Sequence, residues 1–183
     1  MPLAISNRYA TALADVVGKP DSSVTPEAAL EQLHAVQSLL GESSELLNAL
    51  TSPAVKPAEK RRIVRILGER LGLADAVRNF LFVVIDHRRL RLLGDMIGAF
   101  QSWFDNRQGV ARIEVVSAQP LDEALRNSLL QRFGDVTRKT VKGGFEVDPA
   151  LLGGVVVRHG STVFDGSIRS QLRALNRAIS GEA

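Results

Sequence analysis

Apolar residues recur at helical spacing in six short segments of the first part of the chain, and polar turns separate these segments. In the first segment, side chains at steps of three and four residues form one apolar stripe. The members of this stripe are Ile5, Tyr9, Ala12, Leu13 and Val16. The pattern predicts a helix over residues 3–17, which Gly18 and Pro20 end.

Start and stop residues give the bounds of the next three predicted helices. A Thr-Pro pair is typical of a helix start, and a glycine after the last apolar residue is typical of a helix end. These signals predict a second helix from Thr25-Pro26 to Gly41, a third capped by Ser43 or Ser44 and stopped by Ser52-Pro53, and a fourth from Pro57 to Gly68 or Gly72.

The fifth segment, residues 75–86, contains an uncharged apolar run from Phe80 to Ile85. Periodicity alone cannot distinguish a buried helix from a strand in such a run. Because the neighbouring segments are helical and no turn residue directly precedes the run, we expect a buried helix. A sixth helix follows and ends at Gly109.

The hydrophobic period changes after Gly109. Residues 110–117 alternate, with Ile113 and Val115 on one face and charged residues on the other, which predicts a strand. Asp122 is typical of an N-cap and predicts a further helix. The sequence Lys142-Gly143-Gly144 is expected to break the chain before a short strand over residues 145–147.

A hairpin and a final helix complete the prediction. Strands over residues 151–157 and 162–164 flank a turn at Gly160, where a hairpin favours positive φ. A last helix is expected from Ser167 to about Ile179. We therefore predict a mostly α, two-domain α+β protein, with a six-helix bundle over residues 1–105 and a small α+β domain with a β-hairpin over residues 106–183.

Composition narrows the functional classes only a little. The chain has 23 basic and 20 acidic residues, a formal charge of +3, and no cysteine. This charge is too small to require a nucleic-acid partner. The basic clusters at residues 60–62 and 87–91 are expected to be solvated helix ends, although a nucleic-acid-binding helical module stays an alternative. With no bilayer-length apolar run and no signal peptide, we expect a soluble intracellular protein.

No catalytic, cofactor or metal motif is found in the sequence. The three histidines are far apart and lack ligand spacing, and Gly153-Gly154 leads into a strand rather than into a helix N-terminus. An enzyme that uses His159, Ser161 and Asp165 stays a further hypothesis, which requires these side chains to converge in a pocket. A turn at residues 160–161 and a cap of the last helix by Ser167 or Asp165 are the favoured interpretation.

The region from Val147 to Arg169 resembles the C-terminal signature of the delta subunits of F-type ATP synthases, whose mitochondrial relative is the oligomycin-sensitivity-conferring protein. The resemblance extends over the whole chain. The matching residues include Arg8-Tyr9-Ala10, Ser52-Pro53 with Lys60, Asn79-Phe80-Leu81, Arg89-Leu90, Val116-Ser117-Ala118, Leu152-Gly153-Gly154-Val155 and Phe164-Asp165-Gly166-Ser167. Arg138 and Ser161 depart from the family pattern, but both are turn positions.

The resemblance implies a non-catalytic stator subunit without cofactors, which links the catalytic alpha/beta head to the peripheral stalk. It implies that an N-terminal helix of an alpha subunit binds in a groove between the first and fifth helices, so that part of the first helix's stripe is interface. Carried onto this chain, the groove residues are Tyr9, Ala12, Leu13, Val16, Asn79, Val83 and Asp86.

The same resemblance implies that the C-terminal domain contacts the b subunit of the stalk. The candidate residues are Leu172, Leu175 and Ile179. Because the sequence starts at Met1 without a transit segment, we expect a peripheral subunit on the cytoplasmic face of a bacterial membrane.

Overall fold

A computed structural model describes residues 2–19, 21–160 and 162–172 of the chain. The chain divides into two compact units, Met1–Phe104 and Asp105–Ala183. This division lies next to the boundary expected after residue 105. Each unit has its own cluster of buried apolar side chains. No helix among the described residues is long and apolar enough to cross a bilayer.

The first part of the chain forms a series of α-helices, with a 3₁₀ turn at Leu90–Leu92. Their bounds are α1 Pro2–Val17, α2 Pro26–Glu42, α3 Ser44–Thr51, α4 Pro57–Leu71, α5 Asp75–Asp86 and α6 Leu93–Arg107. The ambiguous apolar run is helical, as its neighbours predicted. Helix α5 packs against α1, α2 and α4, and Val77, Leu81, Val84 and Ile85 on it are buried.

Side-chain caps set the starts of α2 and α3. The Thr25 hydroxyl accepts a hydrogen bond from the Ala28 amide, and Pro26 opens α2, as predicted. The prediction that Gly41 ends α2 is wrong, because α2 continues to Glu42. Ser43 ends it instead: its extended backbone stops α2, and its hydroxyl caps α3 by accepting from the Leu46 amide. One serine thus makes a glycine stop unnecessary.

The second unit contains a four-stranded mixed sheet with the strand order β2-β1-β3-β4. The strands are β1 Val110–Ser117, β2 Thr140–Val147, β3 Val155–His159 and β4 Thr162–Asp165. Helix α7, Glu123–Thr137, connects β1 to its parallel neighbour β2, and β3 is antiparallel to both β1 and β4. Side chains of α7 cover the buried residues Ile113, Val115 and Val157.

The expected chain break at residues 142–144 is wrong, because β2 runs straight through them. Gly143 pairs with Ile113 of β1. A Cβ atom at position 143 would lie 2.7 Å from Leu130 Cδ2 of α7. The glycine therefore marks a place where the helix approaches the sheet closely, and not a turn.

The hairpin is shorter at its start than the sequence predicts. Residues 151–154 are irregular, and β3 begins only at Val155. Gly160 follows β3 with a φ of +57°, as the hairpin turn requires. Residues 168–172 are helical. Leu175 and Ile179 of the predicted last helix lie outside the described residues.

Gly154 provides a test of how the turn before β3 is packed. Its φ is +83°, and a Cβ there would lie 2.4 Å from the Gly166 carbonyl oxygen. We expect Gly154→Ala to lower the free energy of unfolding by about 2 kcal/mol or more, because a side chain combines backbone strain with a clash. Chemical denaturation measures the change.

The matched control is Gly144→Ala on β2, where an added Cβ meets no atom within 4 Å. We expect this variant to be within about 1 kcal/mol of the natural protein. Equal effects of the two substitutions would contradict the assigned turn.

Candidate functional site

An apolar groove with a volume of about 550 Å³ lies between α1 and α5. We call it the α1/α5 groove. Its lining residues are Arg8, Tyr9, Ala12, Leu13, Val16, Ala76, Asn79, Phe80, Val83, His87 and Arg89. Six of the seven groove residues expected from the resemblance are therefore brought together: Tyr9, Ala12, Leu13, Val16, Asn79 and Val83.

Helix α1 contributes one wall of the groove because it carries two neighbouring apolar faces. One face packs against the core of the unit and is buried. Its residues are Ser6, Ala10, Leu13, Ala14 and Val17. The predicted stripe coincides with this face only at Leu13, which forms the floor of the groove. Tyr9, Ala12 and Val16 lie beside it and remain accessible. Small buried residues at positions 6, 10 and 14 allow α1 to approach its neighbours closely.

Helix α5 builds the opposite wall in the same way. Ala76, Asn79, Phe80 and Val83 line the groove at steps of three and four residues. Val83 has 47 % of its surface exposed, although it is a large apolar residue within a well-packed helix. A clustered apolar surface that a protein leaves open usually marks a binding site.

Aromatic contacts hold one end of the groove in place. The rings of Tyr9 and Phe80 meet edge to face, with centroids 6.4 Å apart. Arg89 donates a hydrogen bond of 2.8 Å from Nη1 to the Tyr9 hydroxyl, and its guanidinium carbon lies 5.2 Å from the Tyr9 ring centroid. Tyr9 is therefore positioned before any partner arrives, which reduces the entropy lost on binding.

The polar residues of the groove are basic or neutral. Arg8, His87 and Arg89 line it together with Asn79, and no acidic residue does so among the described residues. An occupant of this groove would therefore combine an apolar face with acidic or neutral flanking residues. Sequence reasoning missed Arg8 on α1 as well as His87 and Arg89. The position of the last two depends on the fold of the turn after α5.

Asp86, the seventh expected groove residue, does not line the groove. It lines a second cavity, between α4 and α5, and pairs with Arg61 of α4 through two hydrogen bonds, one of them 3.3 Å long from Arg61 Nε to Asp86 Oδ1. Helical spacing places residue 86 close to the same side of α5 as Asn79. The Arg61 partner draws the carboxylate towards α4 instead.

The residues of the enzyme hypothesis do not converge. In the register of the hairpin, His159 pairs with Thr162 and Asp165 pairs with Val156, so the two lie at opposite ends. The Ser167 hydroxyl accepts from the Ser170 amide and so caps the last helix, and Asp165 supports this cap by accepting from the Ser167 amide and the Ser170 hydroxyl. Ser161 lies outside the described residues.

The second unit exposes apolar side chains near the end of the described chain. Leu172 has 55 % of its surface exposed, and Ile168, one helical turn before it, is also exposed. Leu152 and Leu125 line a cavity beside Gly153 and Gly154. The sequence indicated Leu172 as a candidate contact residue, but it did not indicate Leu125 or Leu152 as contact residues.

These features define a protein of two units, one helical with an open apolar groove of the kind that binds a partner, and the other a separate α+β unit. The chain belongs to the ATP synthase delta (OSCP) subunit family, whose model matches residues 5–179. Members of this family are structural rather than catalytic subunits.

Bacterial relatives named ATP synthase subunit delta match nearly the full length. The protein of Koribacter versatilis is 36 % identical over 177 residues, which cover 97 % of this chain and 98 % of the relative. The protein of Acidobacterium capsulatum is 35 % identical over 176 residues, covering 96 % and 97 %. The Rhodospirillum rubrum protein is 34 % identical over 177 residues, covering 97 % and 94 %.

A solved structure has the same fold. A chain in the cryo-EM structure of the Toxoplasma gondii mitochondrial ATP synthase hexamer superposes with a TM-score of 0.74 and 22 % identity. The match covers 96 % of this chain and 97 % of that one. The family assignment favours the stator hypothesis over the nucleic-acid-binding and enzyme hypotheses.

The Arg61–Asp86 pair can be tested by titration. Hydrogen bonds from Arg61 lower the pKa of the Asp86 carboxyl below its ordinary value, and the charge of Arg61 adds to this effect. We expect Arg61→Met to raise the pKa of Asp86 and Arg62→Met, on the same helix, to leave it unchanged. Carboxyl-carbon NMR measures both values.

The lowered pKa of Asp86 determines how the stability of the fold depends on pH. Because the folded pKa is lower than the unfolded one, the pair stabilises the fold above the unfolded pKa of about 3.9. That contribution is lost as the pH falls through the lower, folded pKa. A pKa for Asp86 that does not respond to Arg61→Met would contradict the pairing.

Proposed function

We propose that this chain is a non-catalytic stator subunit of a proton-translocating F-type ATP synthase. Its first unit binds the N-terminal helix of an alpha subunit in the α1/α5 groove, and its second unit binds the b subunit of the peripheral stalk. The chain then links the alpha/beta head to the stalk, so that the head resists the torque of the rotor. The observation that carries the proposal is the open apolar groove formed by residues of α1 and α5.

The groove has the features that an amphipathic helix requires. Such a helix inserts apolar side chains at steps of three, four and seven residues into an apolar channel between two walls. Here the exposed faces of Val16 and Val83 form part of the two walls, and Leu13 forms part of the floor. A partner helix would cover these side chains and remove them from water.

The charge of the groove favours one kind of helix. With Arg8, His87 and Arg89 in the lining, acidic residues beside the apolar face of the partner would be favoured over basic ones. The preset Tyr9 ring provides an anchor of the type that dominates binding energy at interfaces.

A stator connection requires slow dissociation more than fast association, and differences in affinity between related complexes lie mostly in the dissociation rate. Nanomolar affinity corresponds to about −12 kcal/mol. A buried helix with a few large apolar anchors can supply this energy. Two units with separate partners allow a chain of 183 residues to bridge the head and the stalk.

The location of the protein follows from the complex. We infer a peripheral subunit on the cytoplasmic face of the bacterial membrane, since the similar delta subunits named above from Koribacter and Acidobacterium are bacterial. Attachment to the membrane would be indirect, through the other subunits.

The groove is tested with the full-length chain and a synthetic peptide of the alpha-subunit N-terminal helix. We expect Val83→Asp to weaken binding by about tenfold or more, because it places a charge in the apolar channel. Isothermal titration calorimetry measures the affinity, and circular dichroism establishes that the variant is folded.

The control is Ile66→Asp on α4, which changes a residue of similar exposure, 43 %, that lies outside the groove lining. We expect it to bind the peptide as the natural chain does. If the peptide does not bind the folded natural chain, or if both variants lose binding equally, the groove assignment is overturned.

The stalk contact is tested with a C-terminal fragment of the b subunit. We expect Leu172→Asp to reduce the amount of fragment retained in pull-down experiments by about tenfold, since it places a charge on an exposed leucine that the proposed interface would bury. Val136→Asp on α7 is the control, at an apolar residue that is 83 % exposed. Retention that is insensitive to Leu172→Asp would remove this residue from the proposed interface.

A further inference from the structure

A second cavity, on the other side of α5, has no place in the proposed head and stalk contacts. We call it the α4/α5 cavity, and its volume is about 470 Å³. Its lining residues are Pro53, Val55, Pro57, Ala58, Lys60, Arg61, Ile85, Asp86 and Arg88. Three cations and one carboxylate give the lining a formal charge of +2, from +3 and −1.

Lys60 is the unusual residue of this cavity. Only 5 % of its surface is exposed, and no described residue forms a hydrogen bond or an ion pair with its ammonium group. Lysine is rarely buried to this extent without a partner. Among the described side chains, the fully buried polar atom without a partner is Arg126 Nε. The Lys60 ammonium therefore keeps contact with open space, and the cavity supplies that space.

The single acid of the cavity is already paired. Asp86 accepts both of its described hydrogen bonds from Arg61, so its charge is directed to that guanidinium. Lys60 and Arg88 are left as cations without a described partner. Arg88, which lines the cavity, has a φ of +56°, a conformation that is uncommon for residues other than glycine.

The start of α4 adds to the positive potential. Lys56 occupies the N-cap position without a side-chain hydrogen bond, and Pro57 is the first residue of the helix. The amide of Ala58, which also lines the cavity, belongs to the first turn and has no intrahelical acceptor. Backbone amides and the helix dipole both favour an anion at such an end.

We propose that the α4/α5 cavity is an oxyanion-binding site that holds a carboxylate or a phosphate group between the Lys60 ammonium and the Arg88 guanidinium. Charge-assisted hydrogen bonds from these two groups would provide most of the affinity. The apolar walls formed by Val55 and Ile85 would exclude water from one side of the anion and strengthen these bonds. The site is independent of the α1/α5 groove, with which it shares no lining residue.

The experiment is a titration of the full-length, isotope-labelled chain, followed by amide NMR at constant ionic strength. Inorganic phosphate is the probe in one arm and sodium acetate in the other. We expect saturable shifts of the Ala58 and Lys60 amides with at least one probe. Saturation with phosphate alone identifies a phosphate site, saturation with acetate alone identifies a carboxylate site, and saturation with both identifies the shared oxyanion chemistry.

Two variants separate a built site from general attraction to a basic surface. Lys60→Met retains the buried stem but removes the charge, and we expect it to weaken binding by about tenfold or more. Arg62→Met is the control, because it removes a cation of the same helix that does not line the cavity. We expect this control to bind the probe as the natural chain does.

Arg88→Asn keeps the experiment decisive if Lys60→Met fails to fold, since Arg88 is exposed and asparagine tolerates positive φ. The proposal is overturned if neither probe saturates. It is also overturned if a folded Lys60→Met chain, or Arg88→Asn in its place, binds as tightly as the natural chain.

Discussion

The burial of α5 is the constraint on which the functional surfaces of the first unit depend. Val77 and Val84 of this helix are completely buried, and the helix packs against α1, α2 and α4. Because one face of α5 is committed to the core, its two flanks must become surface. The α1/α5 groove lies along one flank and the α4/α5 cavity along the other.

The last residue of α5 and the short connection after it have their charges divided between these two flanks. His87 and Arg89 line the groove, whereas Asp86 and Arg88 line the cavity. A basic cluster that looks uniform in the sequence therefore serves two different surfaces. Arg89 also fixes the Tyr9 ring, so the same connection shapes the aromatic end of the groove.

The second unit is organised around a much thinner core. Helix α7 has no fully buried residue, and the sheet contributes Ile113, Val115 and Val157 to the apolar cluster. Gly143 allows the helix to approach the sheet closely, because a Cβ there would lie 2.7 Å from Leu130 Cδ2. The apolar surface that remains, at Leu152 and Leu172, is consistent with a unit that gains burial from a partner.

The sequence alone determined the elements whose signals lie within a few residues of each other. Thr25 and Asp122 mark helix starts in the sequence. The Thr25 hydroxyl and the Asp122 carboxylate each accept a hydrogen bond from the amide three residues later in the chain. The alternation of apolar and polar residues in β1 and the family motifs could also be recognised from the sequence. Only the tertiary structure decided the direction of Asp86, whose partner Arg61 is 25 residues away. It also decided that Gly143 lies within a strand and that Lys60 lines a cavity. Such outcomes depend on which elements pack together, and a local pattern carries no information about a neighbour supplied by a distant segment.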